Sequence, residues 1–99
     1  MRLFIVLALS VIAGTSAASA QSFDCSKARI ATEFAICDSQ RLSRLDEEMA
    51  SLYFGLPHYI REDIKGEQRR WLRRRNACGY DRRCIGRAYR RRIDTLSRY

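Results

Sequence analysis

The sequence predicts an all-α fold: one small disulfide-stapled helical domain, an antiparallel helix pair with a third helix packed on it. Three observations predict it. Beyond Ser39, apolar residues recur at spacings of three and four. The cysteines number four, an even count that reads as a disulfide framework in an exported chain of fewer than about 100 residues. No stretch alternates polar and apolar residues as a half-buried strand would, and no repeat, low-complexity linker or second domain is visible.

The first element is "MRLFIVLALSVIAGTSAASA", with Arg2 ahead of an apolar run from Leu3 to Ala13 and small residues after it. This pattern predicts a secretory signal peptide over residues 1–20, cut after Ala20 where Ala18-Ser19-Ala20 supplies the small-x-small site. Its apolar core is shorter than the about 20 residues a spanning helix needs. Cys25 lies beyond the position directly after the cut that a lipid anchor would occupy. The expectation is a periplasmic or secreted single domain, residues 21–99, without a transmembrane segment. Those residues carry 18 Lys+Arg against 11 Asp+Glu, a net charge of +7.

A chain this short buries only roughly 60% of its extended surface, so covalent help is expected. Of three connectivities, the two local ones, Cys25 to Cys37 and Cys78 to Cys84, are favoured because each closes a short segment beside a helix end. Each would contribute about 2 to 3 kcal/mol by loop-entropy arithmetic. Zinc is disfavoured, because the cysteine spacings lack paired C-x2-C units and His58 is the single histidine. No cofactor is expected.

The stapled lead-in "QSFDCSKARIATEFAICDS" contains one predicted helical turn, opened by Thr32 and Glu33 and running through Ile36. The first long helix follows. Ser39 is its N-cap candidate, and Leu42, Leu45, Met49, Leu52, Tyr53 and Leu56 form its stripe. Gly55 and Pro57 interrupt the pattern. A second helix carries Tyr59, Ile60, Ile64, Trp71 and Leu72 and ends near Ala77, with Gly79 as the stop signal. Asp81 caps a third, whose inward face is Ile85, Ala88, Tyr89, Ile93 and Leu96.

A helical wheel then sorts the arginines. Arg69 and Arg73 fall opposite the second helix's stripe, and Arg83, Arg87, Arg90, Arg91 and Arg98 point outward from the third. Arg75 and Arg92, each ending an "RRR" run, fall on the apolar sides. A guanidinium there cannot discharge; it must snorkel, stack on an aromatic ring or meet a carboxylate. Asp46 flanks the first helix's stripe, so the expectation is a structural polar cluster in which Arg75 or Arg92 pairs with Asp46 and Gln68 helps to satisfy it.

The outward charge is polarised: residues 61–99 hold a net +9 and residues 21–60 a net −2. Arg83, Arg87 and Arg91 make a row whose mutual repulsion an anionic partner would relieve. Arg69, Arg73, Arg83, Arg87, Arg90 and Arg91 are therefore the candidate partner-binding residues. An enzyme is not expected, since His58 sits at a turn and no nucleophile, carboxylate or phosphate loop stands at a catalytic spacing. Nucleic acid is not expected either, because Tyr53, Trp71 and Tyr89 serve the core rather than a stacking platform.

Two stretches, "FDCSKARIATEFAICDSQRLSRLDEEMASLY" and "EQRRWLRRRNACGYDRRCIGRAYRRRIDTL", carry a family resemblance from Phe23 to about Leu96. The shared features are the Cys25 to Cys37 segment, Leu42-x2-Leu45-Asp46, Tyr53, Gln68-Arg69-x-Trp71-Leu72-x2-Arg75, Ala77-Cys78, Cys84 and Tyr89-x2-Arg92-Ile93. Together they resemble the N-terminal domain of the LprI-type lysozyme inhibitors, small exported bacterial proteins. The resemblance implies a disulfide-stapled extracytoplasmic helical domain and inhibition of a lysozyme or another cell-wall hydrolase. Two departures stand out. The family's namesake type is a lipoprotein, whereas no lipobox occurs here. Lysozymes are usually cationic, so a +7 inhibitor would dock through an acidic patch such as Asp38, Glu47 and Glu48. The alternative partner is an anionic envelope component, such as lipopolysaccharide, anionic phospholipid or an acidic protein, held by the arginine face.

Overall fold

The structure is a computed structural model that describes residues 21–99. The predicted signal peptide and the cut after Ala20 lie outside the described residues. Five helices follow a 3-10 turn at Cys25–Lys27: α1 Ala31–Asp38, α2 Gln40–Phe54, α3 His58–Asp63, α4 Lys65–Ala77 and α5 Arg82–Leu96. No strand occurs among the described residues, and both disulfides join the predicted partners, Cys25 to Cys37 and Cys78 to Cys84. The all-α, disulfide-stapled domain is what the periodicity and the cysteine spacing lead one to expect.

The lead-in is more ordered than its composition suggests. Asp24 caps the 3-10 turn, and its carboxylate accepts from the Ser26 hydroxyl and amide, which hold its pKa below the usual aspartate value. The single turn expected over Thr32 to Ile36 is the core of an eight-residue helix, α1. It starts earlier because the Glu33 carboxylate reaches back to the Arg29 and Ile30 amides, meeting donors that a helix start leaves open.

Helix α2 starts as expected, with Ser39 Oγ accepting from the Leu42 amide. The predicted second helix is two segments, α3 and α4. Ile64 between them has φ −99° and ψ 6°, yet its amide still bonds the Ile60 carbonyl and its own carbonyl accepts from Gln68. The helical phase runs through this point: at about 100° per residue Ile60, Ile64 and Trp71 lie within about 40° of one another and Tyr59 about 120° from them. Ile64 and Trp71 are buried, whereas Tyr59, expected on that stripe, is 69% exposed.

Gly79 ends α4 with φ +59°, the left-handed conformation that favours glycine. The Thr32 hydroxyl then secures this corner to α1, donating to the carbonyl of Gly79 at 2.6 Å and to that of Asn76 at 3.2 Å. Asp81 caps α5 through the Arg83 and Cys84 amides, and the Cys78 to Cys84 bridge links the end of α4 to the first turn of α5.

The most extensive contact is between α2 and α5; α4 packs along α5, and α1 touches all three. The core where they meet contains Ala35, Ile36, Leu42, Met49, Trp71, Ile85, Tyr89 and Leu96. Burying such side chains contributes about 1.5 to 3 kcal/mol each. Trp71 joins α4 to α5 directly: its indole N–H donates to the Ala88 carbonyl at 2.9 Å, and its ring meets Tyr89 edge-on at 5.3 Å.

Candidate functional site

The inward polar residues form two sets rather than one. The first is built on Asp46 of α2, which is fully buried. Its carboxylate accepts from the Ser22 amide at 2.7 Å, the Ser22 hydroxyl at 2.6 Å and the Tyr89 hydroxyl at 2.8 Å. Arg75 Nη1 stands 3.9 Å away and donates instead to the Tyr89 oxygen at 3.2 Å. So Arg75 and Asp46 do face each other, but Tyr89 carries the hydrogen bonds between them.

The remaining needs of Arg75 are met locally. Its Nε and Nη2 donate to Asn76 Oδ1, and its guanidinium lies 5.7 Å from the Phe23 ring centroid and 5.9 Å from that of Trp71. Stacking and pairing therefore both contribute. Burial is the largest influence on Tyr89 and raises its pKa well above the ordinary phenol range; the Arg75 charge opposes this and the Asp46 carboxylate reinforces it. The phenol stays protonated at neutral pH and serves as a donor.

The second set is built on Arg92 of α5, which does not reach Asp46. Its Nε donates to Gln68 Oε1 at 2.7 Å and its Nη1 to Glu67 Oε1, both on α4. Gln68 Nε2 in turn points to Met49 Sδ at 3.3 Å. Gln68 thus belongs to Arg92, contrary to the expected common cluster around Asp46, because its acceptor oxygen faces α5. Arg92 Nη2 is the one buried side-chain nitrogen or oxygen without a hydrogen-bond partner among the described residues.

The six candidate arginines are all exposed, as the wheel implies, but they do not share one face. Arg87 and Arg91 line a groove of about 420 Å³ between α4 and α5, together with Glu67, Trp71, Arg74 and Arg92. Arg90 sits elsewhere: the space beside Gly86 on α5 is occupied by the guanidinium ends of Arg90 and Arg41. Arg69 lines a separate cavity of about 440 Å³ with Phe23, Met49, Tyr53 and Arg75. Neither cavity includes Arg73 or Arg83.

Sequence reasoning passed over Arg74, Ser22 and the Tyr89 hydroxyl. Arg74 had a signal, since it lies one turn beyond Trp71 on the row Glu67, Trp71, Arg74, Cys78 that faces α5. Ser22 had none: it meets Asp46 across 24 residues of chain from a segment without periodicity.

Among the described residues, no group of three or more His, Cys, Asp or Glu side chains is placed to hold a metal ion. No helix among them is long and apolar enough to cross a membrane. Comparison of the chain with protein-family profiles, curated proteins and solved structures finds no match.

Proposed function

We propose that this protein is an exported, non-enzymatic binding module that captures an anionic component of the cell envelope through the arginine-bearing surface of α4 and α5. The observation that carries this reading is the α4–α5 groove, where Arg74, Arg87 and Arg91 are exposed around one concavity. Like charges held together cost free energy that an anionic ligand returns. The Asp46 set, by contrast, serves as framework: Asp46 is saturated by Ser22 and Tyr89, and Arg75 by Asn76 and aromatic rings. Both disulfides agree with an oxidising compartment.

The test is binding of the disulfide-bonded exported protein to phosphatidylcholine vesicles with and without anionic lipid, at two salt concentrations. Binding confined to the anionic vesicles and falling steeply with salt is expected. Measurable binding that is equal on both vesicle types would remove the reading.

The second reading, inhibition of a lysozyme or another cell-wall hydrolase, rests on the family resemblance. One structural observation favours it: the less basic half exposes Ile30, Phe34, Phe54 and Tyr59, apolar groups that a protein partner would cover. Of the acidic patch, Asp38 and Glu48 are both exposed, and the Asp38 carboxylate also accepts from Tyr80 at 2.9 Å. A lysozyme activity assay decides this reading. No slowing at micromolar protein would eliminate inhibition of lysozyme.

A further inference from the structure

We infer that the groove between α4 and α5 is a binding site for a phosphorylated sugar, with Arg92 in its floor and Arg74, Arg87 and Arg91 at its rim. The inference rests on the anionic-partner reading above and narrows it to one site and one ligand chemistry.

Four features converge. The groove's volume of about 420 Å³ falls within the about 300 to 1,000 Å³ typical of small-molecule sites. Its rim carries three exposed guanidiniums, planar forks that match phosphate oxygens in pairs. Its floor contains Arg92, which is 3% exposed and whose Nη2 has no hydrogen-bond partner. That nitrogen is enclosed by protein and the guanidinium is held in place by Gln68 and Glu67, so Arg92 contributes a fixed positive charge to the floor. The fourth feature is Glu67, which lines the groove while accepting from Arg92.

Glu67 decides between anions. Its carboxylate repels a bare phosphate, but it accepts hydrogen bonds from hydroxyl groups. A ligand carrying hydroxyls beside its phosphate satisfies both ends of the site, whereas inorganic phosphate satisfies one. Ala88 and the edge of the largely buried Trp71 line the groove's wall, where the sugar ring would sit, and the Cys78 to Cys84 bridge closes the end of the groove remote from Glu67 and Thr95.

The experiment is an NMR titration of the isotope-labelled, disulfide-bonded exported protein with glucose phosphate, glucose and inorganic phosphate. The Trp71 indole N–H and the arginine Nε–H signals are followed. Glucose phosphate should move the Trp71 and Arg92 signals, bind at least tenfold more tightly than inorganic phosphate, and lose at least tenfold in affinity when Arg87 and Arg91 are both changed to Gln. Arg69→Gln should leave the affinity unchanged. Vesicles carrying a phosphorylated glycolipid separate the two sources: displacement by glucose phosphate assigns the site to a lipid-linked headgroup, and absence of vesicle binding assigns it to a soluble sugar phosphate. The inference is overturned if glucose phosphate leaves the Trp71 and Arg92 signals unmoved, or if Arg69→Gln weakens binding as much as the α5 double variant. Anionic vesicles retained by the double variant would sink the groove site while leaving the broader reading intact.

Discussion

Tyr89 donates its phenolic hydrogen to Asp46 across 2.8 Å, so the carboxylate of α2 is held by a neutral donor from α5 rather than by a guanidinium fork. Because α2 and α5 make the largest helix contact in the domain, this bond sits where the fold is most tightly closed. The phenol also accepts from Arg75, which places one hydroxyl between a cation and an anion. Removing it changes both neighbours.

The first prediction concerns alkaline pH. The folded protein holds Tyr89 protonated above the ordinary phenol range, while the unfolded chain loses that proton near pH 10. The native state therefore binds more protons than the unfolded state above that pH. Its contribution is complete below pH 10 and is lost as pH rises toward the folded value, by up to about 1.4 kcal/mol per pH unit. Tyr89→Phe should remove this component of the slope and cost about 2 kcal/mol at neutral pH by stripping a donor from a buried carboxylate. Urea titrations from pH 7 to 11 on both proteins measure it; an unchanged slope in the variant contradicts the assignment.

Asp46 provides the second prediction. Asp46→Ala deletes the acceptor of both Ser22 donors and of Tyr89, and leaves Arg75 buried without its facing carboxylate. A loss of about 3 to 5 kcal/mol is expected. Asp46→Asn keeps one acceptor oxygen and should cost less. Equal losses would mean that the charge, rather than the hydrogen bonds, holds the cluster.

What could be read from the sequence follows from what periodicity measures. Leu42, Met49, Ile85 and Leu96 recur at helical spacing and are all buried, as are Arg75 and Arg92, which the wheel turns inward. Periodicity gives the direction of a side chain but not its partner. The choice between Asp46 and Glu67 for Arg92 depends on how α4 and α5 are rotated against each other, and nothing local encodes that. Tyr59 is exposed for a different reason: at about 100° per residue it lies about 120° from the line of Ile60, Ile64 and Trp71, so its place next to Ile60 in the chain does not put it on their stripe. The six arginines likewise share an outward sense without sharing a face.

The corner between α4 and α5 should be sensitive for its size. Thr32→Val keeps the shape of the side chain but strips the Thr32 donor from the Gly79 carbonyl and leaves the Asn76 carbonyl with the Gly79 amide alone, at a cost of about 1 to 2 kcal/mol. Gly79→Ala forces a side chain into the left-handed region and should cost about 1 to 2 kcal/mol. Chemical denaturation with unchanged m-values would verify both. A neutral Thr32→Val would mean that water replaces the hydroxyl there.

The last prediction separates the two roles of Glu67, partner to Arg92 and edge of the groove. Glu67→Gln retains an acceptor for Arg92 and removes one negative charge, so stability should fall by only about 1 kcal/mol. Phosphate binding should change in kind. With the repelling carboxylate gone, inorganic phosphate should bind more tightly than it does to the unaltered protein. Glucose phosphate gains less, because a charge-assisted bond from its hydroxyls becomes a neutral one. The ratio of the two affinities should therefore shrink, read by the same titration that follows Trp71. If both ligands gain equally, Glu67 acts only as a background charge, and the preference for a sugar phosphate has another origin.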